Sequence, residues 1–357
     1  MNLGLIIYGN LETVSGGFSY DRILVDYLKS KGDRVEIFSL PWRSYVRHLF
    51  DNFSGSFIRS LTTAKLDLLI QDELNHPSLF RLNQKLKRYV QYPIVSIVHH
   101  LRSKESRPRW QNDFYRRVER DYLRSVDGFV FVSHTTGSDV KALTGQDAPS
   151  VVAYPGRNLP HPVISADQVR IRSSESGPLR VLFVGNLIPR KELHTLIAAL
   201  AVLPKESWKL DVIGGFVDKR YAKEIRKQIE QNKLSENVSL LGVVTNDTLR
   251  KYYRKSHLLA VPSSYEGFGM VYLEGMESGL PSIASTAGAA HEIITHGENG
   301  FLVRPGEVSA LSGFIDELIR DREKLFQMGL NALDRYQEHS TWNESTSKIA
   351  DFFESIV

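Results

Sequence analysis

The sequence predicts an α/β protein made of two doubly wound halves, each a parallel sheet with helices on both faces. Three observations predict this. Short apolar runs rich in β-branched residues alternate with helix-length amphipathic stretches along the 357 residues, the pattern of parallel sheets. The alternation breaks once, at 159–178, where turn formers cluster as Leu159-Pro-His-Pro162 and Arg172-Ser-Ser-Glu-Ser-Gly-Pro178, and then restarts. The length is large for one domain and comfortable for two.

Taken in order, residues 3–8 read as a first strand, and Gly16-Gly17 opens a helix over 18–31 that Gly32 ends. Strands follow at 34–40, 66–71, 94–99, 128–132 and 150–154. The stretch 159–178 reads as an interdomain linker. Beyond it come strand 179–185, helix 193–203, strand 209–213, helix 219–232, strand 238–241, helix 245–255 and strand 258–261. The last helix, 342–356, carries an apolar face of Ile349, Phe352, Phe353 and Ile356. The domains expected are 1–165 and 166–339.

Composition excludes several classes. No cysteine is present, which removes disulfide scaffolds and thiolate metal sites. No run of 18 apolar residues occurs, so no membrane-spanning helix is expected. The start, Met-Asn-Leu-Gly-Leu-Ile-Ile-Tyr, lacks the charged and apolar regions of a signal peptide, and the cytoplasm is the expected compartment. The net charge of +4 is uneven: residues 81–124 hold twelve Lys/Arg against four acids, leaving the rest at −4. Such a patch faces an anionic partner or is a solvated helix surface. Nucleic-acid binding would rest on that charge alone and is not expected.

The most informative stretch is Ser263-Ser-Tyr-Glu-Gly-Phe-Gly-Met-Val-Tyr-Leu-Glu-Gly-Met-Glu-Ser-Gly-Leu-Pro281. It follows the strand 258–261, passes two glycines at 267 and 269, and enters a helix that Gly279 and Pro281 stop. Free backbone N–H groups at such a helix start suit phosphate or sugar oxygens. A carboxylate repels a diphosphate but accepts hydrogen bonds from hydroxyls. Glu266 and Glu274, eight residues apart, therefore suit the sugar hydroxyls flanking a bound anion, which is the chemistry of a nucleotide-sugar.

The segment resembles the Glu-x7-Glu motif of the family-4 retaining glycosyltransferases, whose fold, GT-B, is two Rossmann-like domains facing a central cleft. The family pattern runs Glu-Gly-Phe-Gly-Leu-x-x-Leu-Glu-Ala-Met-Ala-x-Gly-x-Pro. Here Met270 stands for Leu, Gly275 for Ala and Glu277 for Ala. The continuation through Ile283-Ala-Ser285, Gly288, Glu292-Ile-Ile294 and Gly297-Glu-Asn-Gly-Phe-Leu-Val303 matches as well. The resemblance implies transfer of a hexose from a nucleotide-sugar to an acceptor hydroxyl with retention and without metal or cofactor, UDP-sugars being slightly favoured over GDP-sugars. Glu266 would position the sugar and Glu274 the ribose, with Gly267, Phe268, Gly269, Met270 and Val271 forming the donor loop. The helix 340–357 would cross back to complete the N-terminal domain. The alternative is a non-catalytic GT-B protein that binds nucleotide-sugar or serves a partner.

Val181-Leu-Phe-Val-Gly-Asn-Leu-Ile-Pro-Arg-Lys191 resembles the family's Val-Gly-Arg-Leu-x-x-x-Lys-Gly, whose cations neutralise the leaving diphosphate. Gly185 and Lys191 match. Asn186 replaces the arginine and Glu192 the second glycine, so Arg190, beside Lys191 and with a fork of donors, is expected to supply the second cation. Gly16-Gly17 falls where the family's Gly-Gly borders the donor phosphate and the acceptor pocket, although a double glycine also makes a tight turn. His99 falls where the family has a histidine beside the donor sugar, and a satisfied core histidine is the other reading; His100 is a weaker candidate. The stretch around Val243 resembles the one whose backbone reads the base. No Asp-x-Asp, His-x3-His or Cys-containing metal spacing occurs, and the expected metal set is none. A nicotinamide dehydrogenase would need Gly-x-Gly-x-x-Gly after its first strand, which neither Gly16-Gly17 nor Gly214-Gly215 provides.

Aromatic and basic residues mix over Trp42-Arg-Ser-Tyr-Val-Arg-His-Leu-Phe50 and on through Phe53, Phe57, Ile58 and Arg59. This suits an interfacial helix. With the basic segment 81–124 it points to an anionic membrane surface as a partner, touched peripherally from the cytoplasmic side, and to a lipid-linked acceptor. Packing of the same aromatics on the domain's own core is the plain alternative. Neither the acceptor nor the donor sugar is named by the sequence.

Overall fold

Strands β1 (Asn2–Tyr8), β2 (Arg34–Leu40), β3 (Leu68–Asp72), β4 (Ile94–Val98), β5 (Gly128–Phe131) and β6 (Ser150–Val152) form one sheet in the order β2-β1-β3-β4-β5-β6, every pair parallel. A second sheet joins β7 (Leu179–Val184), β8 (Trp208–Ile213), β9 (Val238–Gly242), β10 (Leu258–Val261), β11 (Ser282–Ser285) and β12 (Gly300–Val303) in the order β12-β11-β10-β7-β8-β9, again all parallel. This computed structural model describes residues 1–13, 15–158 and 164–357. It divides into two units, Met1–Asn158 with Ser340–Val357, and Leu159–His339.

The strand compositions explain the burial. Every residue of β4 and of β10 is buried, because helices cover both faces of a parallel sheet and its central strands read as continuous apolar runs. Edge strand β2 instead alternates exposed and half-buried positions over Arg34–Ile37. Of the expected elements, strands 34–40 and 258–261 and helix 342–356 have the bounds observed. Others shift by one or two residues, where ends fray or local hydrogen bonds take over.

Two expectations are corrected. Part of the expected linker, residues 159–163, lies outside the described residues. The rest is not irregular: Ala166–Ser174 is a helix opened by a capping box in which Ser165 accepts from the Gln168 N–H at 3.2 Å and the Gln168 side chain accepts from the Ser165 N–H at 2.9 Å. Serine and glutamine three apart made a helix start where composition suggested turns. The aromatic stretch is likewise not one interfacial helix. It breaks into Tyr45–His48, a 3₁₀ turn Leu49–Phe53, and Gly55–Thr63. Ser54 caps the last of these through the Phe57 N–H, and Asn52 is held by Leu49 O and Pro77 O.

The helix Trp342–Ile356 lies in the first unit. A capping box, Thr341 with Glu344, opens it, and Ile349 and Phe353 are buried. Its Trp342 meets Tyr20 edge to face at 5.6 Å, and Arg157 donates through its N–H to Ser340 O at 2.8 Å. Among the described residues no helix is long and apolar enough to cross a membrane.

Candidate functional site

In the second unit the sheet order seats β10 beside β7, so the loops leaving their C-terminal ends are neighbours. Crevices outside the carboxyl ends of such strands are where ligands bind. From β10 the chain runs through Tyr265, Glu266, Gly267 and Phe268, all buried. This loop is fixed on both sides. Ser264 N–H donates to Arg190 O at 2.8 Å, and Ala289 N–H to Glu266 O at 2.9 Å. Gly269 has φ +89, and a Cβ there would sit 2.4 Å from Tyr272 Cε2. Only glycine fits this left-handed position under the ring. The Tyr272 hydroxyl donates to Val261 O at 2.6 Å, tying the helix Met270–Glu277 back to the strand. No side chain caps that helix start, so Met270 and Val271 open it beneath uncapped N–H groups.

Pro189–Lys191 form a 3₁₀ turn after β7. Arg190 Nη1 donates to Tyr265 O at 2.7 Å and to Glu266 Oε1 at 3.2 Å, while Lys191 Nζ donates to the same oxygen at 2.6 Å. Burial alone would raise the Glu266 carboxyl, but Lys191 and then Arg190 hold it down at about 2. The Lys191 stem lies over Gly185, where a Cβ would be 3.3 Å from Lys191 Cε. Asn186 is turned the other way. Its Oδ1 accepts the Gly215 N–H at 3.1 Å and ties the loop after β7 to the loop after β8. Arg190 is thus the arginine that reaches Glu266, and Asn186 is a loop fastener.

Glu274 is half-buried one turn into the helix. Its Oε2 accepts the Tyr253 hydroxyl at 2.8 Å, and burial, with the like charge of Glu277, raises its carboxyl above the usual range. Sequence reasoning missed Tyr253, which lies on the preceding helix Asn246–Lys255 with nothing local to mark it. It also missed Phe216 and Val217, which with Val243 expose apolar surface at the ends of β8 and β9; the Arg226 guanidinium stands 4.9 Å over the Phe216 ring. A Gly-Gly-Phe-Val run after a strand was the available signal.

In the first unit, Ser15 caps the helix Gly16–Ser30 through the Phe18 N–H, and Gly17 brings that helix start against His99, just past β4. A Cβ on Gly17 would be 3.2 Å from His99 Cδ2. His99 Nε2 lies 3.2 Å from Asp21 Oδ1. Burial lowers the imidazole, but Asp21, Asp72 and Glu73 outweigh it and raise His99 to about 9. Asp72 is pushed up to about 7 by burial and by Asp21. His100 Nε2 is 3.1 Å from Glu105 Oε1.

The sequence showed no metal spacing, yet the fold assembles two trios from distant positions. Asp21, Asp72 and His99 form one, and Glu73, His76 and Glu119 the other, each with ligand atoms within 4.8 Å of one another. Burial raises Glu73 and Glu119 to about 7 and lowers His76 to about 4. These could hold a cation by donor set; Asp21, Asp72 and His99 come from a helix, a strand end and the residue just past β4, while Glu73 and His76 lie three apart and meet Glu119 from a distant helix.

Residues 166–335 match the family model of glycosyl transferases group 1. A GDP-mannose-dependent alpha-(1-6)-phosphatidylinositol monomannoside mannosyltransferase of Mycobacterium tuberculosis is 28% identical over 253 residues, covering 66% of this chain and 64% of its own length. A D-inositol 3-phosphate glycosyltransferase of Nocardia farcinica is 28% identical over 225 residues, covering 60% and 50%. The chain therefore spans less than two thirds of the length of these relatives. Among solved structures, sucrose-phosphate synthase of Thermosynechococcus elongatus aligns with a TM-score of 0.85 at 21% identity, covering 99% of this chain and 98% of that one. Anabaena HepE in complex with UDP-glucose aligns with a TM-score of 0.79 at 20% identity, covering 99% and 100%. The fold is that of the GT-B glycosyltransferases.

Proposed function

We propose that this chain is a retaining glycosyltransferase that moves a hexose from a nucleotide-sugar to an acceptor hydroxyl without a metal ion. The observation that carries the reading is the convergence of Arg190 and Lys191 on one carboxylate oxygen of Glu266, shortly before an uncapped helix start. The match to glycosyl transferases group 1 over the same unit supports it. Two cations beside a carboxylate suit a donor whose diphosphate takes the cations and whose sugar hydroxyls take the carboxylate.

In this mechanism the bond from the anomeric carbon to the diphosphate oxygen breaks, and the diphosphate keeps the electron pair. Lys191 and Arg190 stabilise that growing charge. The acceptor oxygen attacks from the same face through an oxocarbenium-like state, and its proton passes to the departing phosphate oxygen. Glu266 orients the hexose and Glu274 the ribose. Gly185 and Asn186 shape the phosphate loop, and Gly267, Phe268, Gly269, Met270 and Val271 supply backbone to the donor. The backbone at Val243 reads the base, with Phe216 as an apolar neighbour. Gly16, Gly17 and His99 serve the acceptor on the first unit. Asn186 was the only feature favouring a non-catalytic protein, and its bond to Gly215 gives it another purpose.

We propose further that the acceptor is met at an anionic membrane. Trp42, Phe50, Phe53, Tyr89 and Trp110 are exposed in the first unit, Lys85 lies over the Phe53 ring at 4.7 Å, and the surrounding segment is basic. Rings and basic stems of this kind suit headgroups. Thermal-shift screening of UDP-, GDP- and ADP-sugars, followed by donor hydrolysis without acceptor, tests the activity. No stabilisation by any of them and no hydrolysis would overturn it. Flotation with anionic vesicles at low and high salt tests the membrane reading, which fails if nothing binds at low salt.

A further inference from the structure

His99 stands just past the carboxyl end of β4 with 18% of its side chain exposed, and one face of a helix is given over to holding it. Gly17, Tyr20 and Asp21 of the helix Gly16–Ser30 have the i, i+3, i+4 spacing that puts three positions on one side. Gly17 lets the helix start close on the ring, where a Cβ would lie 3.2 Å from Cδ2. Tyr20 meets the ring edge to face at 5.4 Å and is itself fixed, its hydroxyl donating to Ala153 O at 2.8 Å. Asp21 Oδ1 lies 3.2 Å from Nε2. We infer that Asp21 is a positioning residue of the transfer reaction, holding His99 by Nε2 so that Nδ1 meets an oxygen of the acceptor. This rests on the reading of His99 as an acceptor residue.

Among the described residues the Asp21 carboxylate has no other use. The residue is 0% exposed, Oδ2 is buried without a hydrogen-bond partner, and Oδ1 bonds only His99. Asp72, the other acid of the trio, is engaged elsewhere, its Oδ1 accepting the Leu74 N–H at 2.9 Å. A buried carboxylate with a single hydrogen bond weakens a fold relative to a neutral side chain of the same shape. The return on Asp21 therefore lies at the ring it fixes.

The two ring nitrogens then have separate tasks. A carboxylate only accepts, so the hydrogen sits on Nε2, and the ring is oriented from that side. Nδ1 makes no hydrogen bond among the described residues and is the nitrogen left for a ligand. The surrounding acids favour the charged ring, in which Nδ1 also donates. A donor there takes one lone pair of the acceptor hydroxyl and leaves the hydroxyl hydrogen free for the departing phosphate oxygen.

The test compares the full-length wild type, Asp21→Asn, His99→Gln and the double variant. UDP-glucose, GDP-mannose and ADP-glucose are the donors, and water takes the acceptor's place. Asparagine fills the space of Asp21 but offers an N–H as well as an oxygen, so it no longer fixes the ring's hydrogen pattern. Asp21→Asn is expected to lower kcat of donor hydrolysis about tenfold to a hundredfold. Donor Kd by calorimetry is expected to stay unchanged, and the melting temperature to equal or exceed that of the wild type. Adding Asp21→Asn to His99→Gln is expected to cost nothing further, because Asp21 acts through that ring. A lower melting temperature with losses in both kcat and donor affinity would make Asp21 a structural residue and overturn the inference. So would full turnover in Asp21→Asn, or a full additional loss in the double variant, beside an active wild type. Cleavage of none of the three donors by the wild type would instead overturn the transferase reading, and this inference with it.

Discussion

Lys191 Nζ donates to Glu266 Oε1 at 2.6 Å, joining residues 75 apart in the chain, and Arg190 reaches the same oxygen at 3.2 Å. The bond links the loop after β7 to the loop after β10, and Glu266 gives both cations one shared counter-charge.

Removing either cation should therefore harm chemistry more than donor binding, since leaving-group charge grows toward the transition state. Lys191→Ala is expected to lower kcat by about a hundredfold to a thousandfold, with donor Kd changing much less. Arg190→Ala is expected to behave alike, and Asn186→Ala to lose far less, because its side chain meets Gly215 rather than Glu266. Steady-state kinetics with calorimetry separates the three, and full activity in Arg190→Ala would remove that residue from the site.

The same bond should be visible in acid unfolding. Glu266 titrates near 2 in the folded chain against an ordinary value near 4.3. A depressed carboxylate stabilises the fold above its unfolded pKa, and that stability is lost as pH falls through the window toward 2. Up to about 3 kcal/mol rides on it. Denaturant titrations between pH 5 and 2 are expected to show a shallower loss for Glu266→Gln than for the wild type. Parallel curves would contradict the assignment.

Glu274→Ala is expected to weaken nucleotide-sugar binding by about 1–3 kcal/mol, the cost of leaving hydroxyls unpaired. Tyr253→Phe should weaken it by less, because that hydroxyl donates to the Glu274 carboxylate at 2.8 Å and would act through it. Calorimetry that finds donor affinity unchanged in Glu274→Ala would end the ribose assignment.

Turnover is expected to survive dialysis against EDTA, since the residues placed at the diphosphate are cations. A loss that magnesium or manganese restores would move attention to Asp21, Asp72 and His99, whose ligand atoms lie within 4.8 Å of one another.

The doubly wound architecture was legible because its signal is local and repeated: buried strands such as Ile94–Val98 are apolar along their whole length. The Glu266 loop was legible because glycine, carboxylate and helix start lie within one short segment. The Arg190–Lys191–Glu266 convergence was only half legible. Resemblance nominated Lys191 and Glu266, and adjacency to Lys191 nominated Arg190, but that Arg190 reaches Glu266 while Asn186 turns to Gly215 needed the fold. The acid clusters were invisible, as Asp21, Asp72 and His99 come from a helix and two strand ends that only the β1-β3-β4 pairing brings near. The helix Ala166–Ser174 was misread because a capping serine looks like a turn residue in composition.

The return of Trp342–Ile356 to the first unit has a consequence for how the protein is made. That unit is split in the chain, Met1–Asn158 and Ser340–Val357, around a continuous second unit. During synthesis, β5 waits for its cover until the whole of Leu159–His339 has been translated, because Ile356 and Phe352 are what pack over Gly128. At ordinary elongation rates of about 5–20 residues per second, the wait lasts on the order of ten to forty seconds. The second unit can mature on the ribosome in that interval while the first carries an uncovered apolar seam.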